Sequence, residues 1–389
     1  MVIHMITGSK ELIRDINRNL ILKTIIQEDP ISRASLAQHT GLTKATVSTI
    51  VADLIEQKLI LEIGSDNTSL GRKPILLTFH ANCGHTISLD LNHTTISVLV
   101  SNLRGENCSL SLHKHVIDRS SILAYLEDII KNTIATLPDS PYGVIGIGIG
   151  VHGTVYDNQV LFAPYTPYEG LSFKEYLENI FHIPVFLDNE ANLSVIGEQT
   201  FCYNVPNIIG VSVHSGIGAG AIIQSNLYTG INGNAGEFGH TIIERNGRPC
   251  PCGNLGCLEQ YASERAILEE YIHTTSSAST LEDFITAYFN KDTTAVFLIQ
   301  EFVSYMAIAI NNLSATFNPD VIVINSSFII HIPDLLSSIQ KQLSSRLNMN
   351  CTVVSSRLQD TSILLGASCI CIKNFLGIDH LFLKKEGSI

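Results

Sequence analysis

Four residues in one stretch of the chain have the side-chain types and the spacing of a metal site. Three thiolates and one imidazole can complete the tetrahedral shell of a zinc ion, and a shell with no open position is structural. The proline and glycines between the cysteines allow a short loop to wrap around an ion. The alternative is three buried thiols in a tight loop, and ligand type and spacing favour zinc over it. The predicted zinc ligands are His240, Cys250, Cys252 and Cys257.

A second group of residues with a possible chemical role lies near the N-terminus. Apolar residues recur at helical spacing over residues 12–26, a short helix is predicted after Ser32, and Thr43 is placed to cap a third helix. The outward face of this third helix carries short polar side chains, which can reach base edges and phosphates in a major groove. The predicted DNA-contacting residues of this helix are Thr43, Lys44, Thr46, Ser48 and Thr49.

A predicted wing follows the third helix. Residues 59–63 and 74–79 are β-prone, and the polar loop between them carries Arg72 and Lys73 at or near its tip. Cations in this position can enter a narrow minor groove, where the potential is most negative. The alternative is a three-helix protein-interaction module with solvated polar faces, and the combination of polar helix and cationic wing favours DNA.

Charge and composition are consistent with this division. The net charge is −12, but residues 1–80 carry nine Lys or Arg against eight Asp or Glu, a net charge of +1, which leaves −13 for the remainder. A weakly basic front module can bind DNA, because phosphate neutralisation depends on local contacts. A mean hydropathy of +0.23 excludes a disordered chain. The N-terminal residues have no basic flank followed by an apolar core, and no apolar run is expected to be long enough for a bilayer, which predicts a cytoplasmic protein.

The larger part of the chain alternates strand-like and helical segments. Residues 85–90, 95–101, 143–150 and 208–214 are β-rich, and residues 321–324 form a further apolar run. This alternation predicts an α/β domain with mixed sheets. The predicted division is a winged helix-turn-helix domain over residues 1–80 and a second domain over residues 81–389.

Several of these segments resemble the ROK group of repressors and sugar kinases, and most closely its xylose repressors. The segments are residues 30–37, 41–48, 71–74, 140–149 and 188–192, together with the cysteine loop. The resemblance covers essentially the whole chain. It implies a winged helix-turn-helix fused to a two-lobed actin-like fold of the ROK sugar-kinase, ribonuclease H-like type, with sugar between the lobes and zinc bracing the sugar site.

The resemblance also implies a set of sugar-binding residues. Carboxylates accept hydrogen bonds from vicinal hydroxyls, and an amide both donates and accepts. The imidazole of this set would ligate zinc through one ring nitrogen and leave the other for the sugar. The alternative is that the carboxylates belong to an ordinary acidic surface. The implied residues are Asn189, Glu190, Glu237, His240 and Glu259.

Kinases of the family have bare glycines where the backbone approaches nucleotide phosphates. The first such segment, Asp-x-Gly-Gly-Thr in the kinases, reads Asp90-Leu91-Asn92-His93-Thr94 here. A Gly-Thr-Gly loop reads His214-Ser215-Gly216, and a Gly-Gly pair reads Asn325-Ser326. Since backbone donors and close approach hold phosphate, three replacements in one site predict a kinase fold that has lost its nucleotide site.

The function implied is that of a homodimer, or a dimer of dimers, that represses a carbohydrate operon. It would bind a double-stranded operator and release it when an inducing sugar, xylose or a related aldose, enters the cleft. A phosphorylated sugar is the alternative inducer. An ATP-dependent sugar kinase with a regulatory front domain is the alternative, and a repressor whose sugar clamp has decayed is a third. His152 stands where xylose repressors have a proline, so either a structural or a ligand-facing histidine is expected there.

Overall fold

The structure, a computed structural model, describes residues 10–64, 75–92, 95–114, 118–163, 166–276, 280–343, 345 and 351–383. The helices are α1 Lys10–Gln27, α2 Arg33–Thr40, α3 Lys44–Glu56, α4 Ile122–Ala135, α5 Phe173–Phe181, α6 Glu190–Phe201, α7 Glu259–Ala262, α8 Glu264–Thr275, α9 Leu281–Phe289, α10 Thr293–Phe317, α11 Ser327–His331, α12 Asp334–Gln342 and α13 Ser362–Leu376. The strands are β1 Ile31–Ser32, β2 Ile60–Ile63, β3 Leu76–Phe79, β4 His85–Leu91, β5 Thr95–Asn102, β6 Ser109–Lys114, β7 Val144–Val151, β8 Thr154–Tyr156, β9 Gln159–Phe162, β10 Val185–Asn189, β11 Ile208–Val213, β12 Ile217–Ile223, β13 Asn226–Leu227, β14 Val321–Ser326 and β15 Thr352–Ser355.

The N-terminal domain is the predicted helix-turn-helix. The Ser32 hydroxyl accepts a hydrogen bond from the backbone of Ser35 and starts α2, and Gly41 ends α2 in the left-handed conformation. Thr43 caps α3 in the same way, through the backbone of Thr46. The caps therefore define the turn between the two helices as the sequence predicts.

The wing differs from the prediction in one respect. Strands β2 and β3 pair as an antiparallel hairpin, but the two-residue strand β1 joins the other side of β3, which makes a three-stranded sheet. This strand precedes α2 and ties the wing to the helical part of the domain. Arg72 and Lys73, placed at the wing tip by the sequence, lie outside the described residues.

The rest of the chain forms two lobes, each built on a five-stranded mixed sheet. The small lobe has the strand order β10-β7-β4-β5-β6, and the large lobe has the order β13-β12-β11-β14-β15. In each lobe the first three strands form an antiparallel meander. A fourth strand pairs in parallel with the first, and a fifth pairs in parallel with the fourth. The repeated strand order confirms the α/β class and the two-lobed actin-like arrangement.

Helices α6 and α13 lie between the two sheets and pack against each other. Helix α13 packs on the small-lobe strands β4 and β7, whereas α6 packs on the large-lobe strands β11 and β12. A Cβ on Gly366 of α13 would lie 1.8 Å from the Leu193 carbonyl oxygen, and one on Gly197 of α6 would lie 2.5 Å from that of Ser362. The two backbones are in direct contact at these glycines, so the helices are closely coupled.

Helix α10 is long and apolar enough to cross a bilayer by length and composition alone. The expectation that no apolar run reaches that length was therefore wrong. Half of its most apolar window is buried within the protein, and Phe302, Met306 and Ile310 belong to the large-lobe core. These contacts are those of a central core helix.

The N-terminal domain packs directly on the small lobe and on the end of α13. The Asn19 side chain donates to the Gly377 carbonyl at 2.7 Å, and the Tyr142 hydroxyl donates to the Gln57 carbonyl at 2.6 Å. Arg104 of the small lobe forms an ion pair with Asp29. Buried apolar residues of α1, α3 and α13 belong to one continuous core.

Candidate functional site

The cleft between the lobes brings together all five residues of the predicted sugar site. It holds about 530 Å³ of empty space, a figure that includes solvent at its open side. Its small-lobe wall adds residues 152–154 and Phe162, and its large-lobe wall adds the turn of residues 215–218. The predicted residues in its lining are Asn189, Glu190, Glu237, His240 and Glu259.

The large-lobe wall of the cleft is a loop that folds tightly on itself and on β12. Gly239 lies against this strand so closely that a Cβ would be 2.1 Å from the Ile217 carbonyl oxygen. Gly256 has a φ of +85°, and a Cβ there would lie 1.7 Å from the Glu244 carbonyl oxygen. Only glycine fits both positions, and together they fix the loop that carries the cysteines.

The four predicted zinc ligands lie together in this loop. Their donor atoms are all within 4.8 Å of one another. The Cys252 and Cys257 sulfurs are 3.7 Å apart, close to the ~3.8 Å edge of a tetrahedron with zinc–sulfur bonds of about 2.3 Å. Burial raises the pKa of the Cys257 thiol to about 12, so an incoming ion must displace thiol protons. The donor set and its spacing fit a tetrahedral metal ion.

His240 connects the cysteine cluster to the cleft. Its Nδ1 lies 3.4 Å from the Cys250 sulfur, and its Nε2 lies 3.8 Å from Glu237 Oε2. The other Glu237 oxygen accepts a hydrogen bond from the Thr154 hydroxyl at 2.8 Å. One ring nitrogen therefore faces the cluster and the other faces the cleft, and Thr154 links the two lobes through Glu237.

Glu259 is held rigidly at the back of the cleft. Its side chain is buried, with the residue 4% exposed. Oε2 accepts a hydrogen bond from the Ile217 backbone at 3.3 Å, and Oε1 accepts one from Gln260 at 3.2 Å. The Arg265 guanidinium lies 4.0 Å from Oε1. This carboxylate has a fixed orientation before any ligand arrives.

Asn189 and Glu190 form the start of α6 at the floor of the cleft. The Asn189 oxygen caps the helix by accepting from the backbones of Ala191 and Asn192, and its amide donates to the Gly153 carbonyl at 2.8 Å. One amide hydrogen remains for a ligand. Glu190 is 9% exposed, and its Oε2 is buried without a hydrogen-bond partner. A buried acceptor of this kind, lining a cleft, is suited to a ligand hydroxyl.

In two of the segments that correspond to phosphate loops of the kinases, side chains are bonded within the protein. Asp90 pairs with His152 at 2.9 Å. Asn325 donates to the Ser362 hydroxyl at 3.0 Å, and so joins β14 to α13. Ser326 donates to Glu264 at 3.2 Å. His93 and Thr94 of the first segment lie outside the described residues.

The exposed face of α3 carries the predicted DNA-contacting residues. Thr43, Lys44, Ser48 and Thr49 are exposed, and Thr46 is half-buried. The Thr43 hydroxyl is engaged in capping the helix, and the Thr49 hydroxyl donates to the Ala45 carbonyl. The structure places all five on or beside the first two turns of this helix.

Sequence reasoning missed Thr154, Phe162 and Glu264. Thr154 and Phe162 belong to the short hairpin β8–β9, which has no periodic pattern long enough to predict. Glu264 follows the capping residue Ser263 and looks like an ordinary acidic residue in the first turn of a helix. Only the fold shows that its carboxylate contacts Ser326, Ser327 and His214.

Both parts of the chain match families of known proteins. Residues 86–374 match the ROK family, and residues 14–60 match the winged helix-turn-helix DNA-binding family. The chain is 37% identical over 380 residues to a xylose repressor of Bacillus spizizenii, covering 95% of this chain and 98% of the relative.

Two solved structures agree with this placement. One is a ROK family transcriptional regulator described as a homologue of the E. coli MLC protein, with a TM-score of 0.79, 29% identity, and coverage of 94% of this chain and 98% of that one. A ROK family glucokinase from Streptomyces griseus, with glucose and AMPPNP, has a TM-score of 0.65 and 24% identity, and covers 74% of this chain and 99% of that one. The glucokinase shows the fold of the two lobes, and the regulator matches the N-terminal domain as well. The chain thus belongs to the ROK family, among the members that join a winged helix-turn-helix DNA-binding domain to the ROK domain.

Proposed function

We propose that this protein is a homodimeric, cytoplasmic transcriptional repressor that releases its operator when a sugar binds between its lobes. The observation that carries the proposal is the connection of a DNA-binding domain to a cleft lined by five sugar-type ligands. A similar protein is named as a xylose repressor over nearly the whole chain. Two copies fit the two half-sites of a palindromic operator, because a two-fold protein presents two recognition helices.

The inducer we propose is a neutral aldose, xylose or a related sugar. Glu190, Glu237 and Glu259 supply acceptors for hydroxyl groups, and Phe162 supplies an apolar surface for a sugar ring. Among the described lining residues none is lysine or arginine. A sugar phosphate would bring further negative charge against these carboxylates, so the unphosphorylated sugar is favoured.

The metal we propose is a structural zinc ion held by His240, Cys250, Cys252 and Cys257. A filled tetrahedral shell would keep the loop folded and His240 fixed. Glu259 follows the last cysteine by two residues and would be held with it. The ion would therefore act on the sugar site by fixing its large-lobe wall.

A route from the cleft to the DNA-binding domain is visible in the packing of helices. Glu190 begins α6, α6 contacts α13 backbone to backbone, and α13 ends against α1. Closure of the lobes on a sugar would move α13 and with it the recognition helix. A hundredfold loss of operator affinity requires about 3 kcal/mol of coupling, which a few charge-assisted hydrogen bonds can supply.

The sugar-binding half of the proposal is tested by thermal unfolding with a panel of pentoses, hexoses and their phosphates. A neutral aldose should raise the unfolding temperature, because it binds only the folded state. The Glu237→Gln variant should lose most of this rise. Glu244→Gln, an exposed carboxylate on the same loop, should keep it. No rise with any sugar would support the decayed clamp instead.

The DNA-binding half is tested by gel shift on duplexes that the protein selects from a random pool. The selected site should be palindromic, and the sugar identified above should weaken the complex. Affinity should fall steeply with salt, because phosphate contacts release counterions. A complex indifferent to every aldose, or no selected site, would reject the repressor. ADP production with a sugar and MgATP would favour the kinase.

A further inference from the structure

A second cavity, the edge cavity, lies between the edges of the two five-stranded sheets. One side is formed by β10, the edge strand of the small-lobe sheet, and the other by β12 and the edge strand β13 of the large-lobe sheet. Helices α6 and α13 complete the lining, which shares no residue with the lining of the sugar cleft. The empty space is about 1150 Å³, part of which is solvent at the open side. The edge cavity thus contacts both lobes and both helices between them.

The edge cavity and the sugar cleft meet at the junction of β10 and α6. Asp188 lines the edge cavity, whereas the next two residues, Asn189 and Glu190, line the cleft. Asp188 Oδ1 accepts hydrogen bonds from the Asn189 backbone at 2.7 Å and from the Asn192 amide at 2.9 Å. The Asp188 carboxylate is therefore bonded to the same short segment that presents two of the predicted sugar ligands.

The segment that follows α13 connects the edge cavity to the DNA-binding domain. Residues 377–383 form this segment, and the first of them line the cavity. The Gly377 carbonyl accepts a hydrogen bond from the Asn19 side chain of α1 at 2.7 Å. Further along, the Leu383 backbone donates to the Thr200 carbonyl at the end of α6, also at 2.7 Å. A molecule in the edge cavity would therefore contact a segment that is bonded to α1 and to α6.

The charged groups of the edge cavity are balanced in sign. Its four ionisable residues are Lys373, His380, Asp188 and Asp379. Lys373 is half-buried, and its ammonium group has no hydrogen bond or ion pair with any residue that the structure describes. An ammonium group that has lost part of its water and has no partner in the protein is suited to an anionic group of a ligand.

We propose that the edge cavity binds a small zwitterion of the amino-acid class. The ligand carboxylate would pair with Lys373, and its ammonium group with Asp188 and Asp379. Phe186 and Ile370 of the lining offer apolar surface to a side chain. A phosphate ester fits less well, because it would bring almost two negative charges against two carboxylates. Pockets for small molecules commonly have about 300–1,000 Å³, so the space suffices.

The consequence for regulation rests on the proposed function, whereas binding in the edge cavity does not. A molecule that fits between the sheet edges as they stand favours the present arrangement of the lobes, in which the sugar cleft is open. It would oppose closure of the lobes on a sugar and so strengthen operator binding. By reciprocity, the sugar would weaken binding of the zwitterion by the same factor.

The test of the site is calorimetry of the full chain, without sugar, against each standard L-amino acid in turn. At least one should bind wild type in the millimolar range or more tightly. Lys373→Met, which keeps the apolar part of the side chain and removes the charge, should weaken binding roughly tenfold or more. Asp379→Asn, an exposed position, should also weaken it and serves if the first variant does not fold. Lys341→Met, an exposed lysine on α12, is the control and should bind as wild type does.

The ligand class is tested in the same way with the N-acetyl derivative of the amino acid that binds, and with inorganic phosphate. The derivative lacks the ammonium group and should bind more weakly than the amino acid. Equal binding of the derivative, or tighter binding of phosphate, would overturn the zwitterion. The absence of binding by every amino acid, or an affinity unchanged in both test variants, would overturn the site.

The regulatory consequence is tested by titrating D-xylose into wild type with and without this amino acid. The affinity for D-xylose should fall when the amino acid is present, and gel shifts should show a tighter operator complex. An unchanged affinity for D-xylose would overturn the coupling. If no aldose binds while the amino acid binds wild type and is weakened by Lys373→Met, the edge cavity is supported and the sugar-sensing function fails.

Discussion

The two lobes share one strand order but differ in what is inserted between the strands. The small lobe inserts the hairpin β8–β9 and α5 between β7 and β10. The large lobe inserts the cysteine loop and α7 to α10 between β13 and β14. The small-lobe wall is thus a short hairpin, whereas the large-lobe wall is a loop with close glycine contacts and four clustered histidine and cysteine side chains. The common scaffold sets the position of the cleft, and the insertions set its chemistry.

This contrast predicts that substitutions in the cysteine loop have the largest effects on stability and on sugar binding. Cys257→Ser should lower the free energy of unfolding by on the order of 4 kcal/mol and abolish sugar binding, because a lost metal site is among the largest single-residue effects. Urea unfolding measures the loss of stability, calorimetry with the inducing sugar measures the loss of binding, and zinc content measures the loss of the metal. Cys108→Ser, an exposed thiol in the small lobe, should leave them unchanged. Equal stability of wild type with and without chelator would contradict a metal-braced wall.

The next largest effect should come from the rigid carboxylate of the same wall. Glu259→Gln should weaken sugar binding by about 2 kcal/mol, or roughly thirtyfold, since a hydrogen bond to a charged group is replaced by a neutral one. Calorimetry with the inducing sugar measures this loss. The fold should be preserved, because the amide can still accept from the Ile217 backbone. Unchanged affinity would remove Glu259 from the site.

A smaller effect is expected on the small-lobe side. Thr154→Val removes the hydroxyl that holds Glu237 from the opposite lobe. Sugar affinity should fall by about 1 kcal/mol, or roughly fivefold, which is the usual value of a neutral hydrogen bond. If this loss were to exceed that of Glu259→Gln, the small-lobe wall would be the more important, and the contrast between the walls would be reversed.

The smallest effect concerns the attachment of the DNA-binding domain to the small lobe. Tyr142→Phe removes the hydrogen bond to the Gln57 carbonyl and leaves the ring against Phe375. Sugar affinity should be unchanged. The ratio of operator affinity without sugar to operator affinity with sugar should fall roughly two- to fivefold, which corresponds to about 0.5–1 kcal/mol of coupling. Gel shifts with and without sugar measure the ratio. A ratio equal to that of wild type would show that the small lobe does not transmit the signal through this contact.

Features encoded locally could be predicted from the sequence. Ser32 and Thr43 cap their helices, and the four zinc-type ligands lie together, because in each case the residues are close in the sequence. The gathering of the sugar residues was implied by family resemblance, since no local pattern brings residue 189 to residue 259. The roles of these residues and the division at residue 80 remain predictions.

Features that depend on distant pairing were not predicted. The two-residue strand β1 is too short to have a periodic pattern, and the repeated strand order of the lobes leaves no repeat in the sequence. The contacts of Glu264 with His214 and Ser326 join segments that are far apart in the chain. The length of the apolar stretch in α10 was not predicted, because polar residues interrupt it. Its 18 most apolar consecutive residues still have a mean hydropathy of 1.6.

The continuous core beneath α1, α3 and α13 has a practical consequence for protein engineering. A fragment cut at residue 80 would expose apolar side chains that are now buried in this shared core. Joining this DNA-binding domain to a different sensor domain would therefore require α13 as well, although nearly 300 residues separate the two along the chain. The DNA-binding domain and α13 should therefore be transferred together.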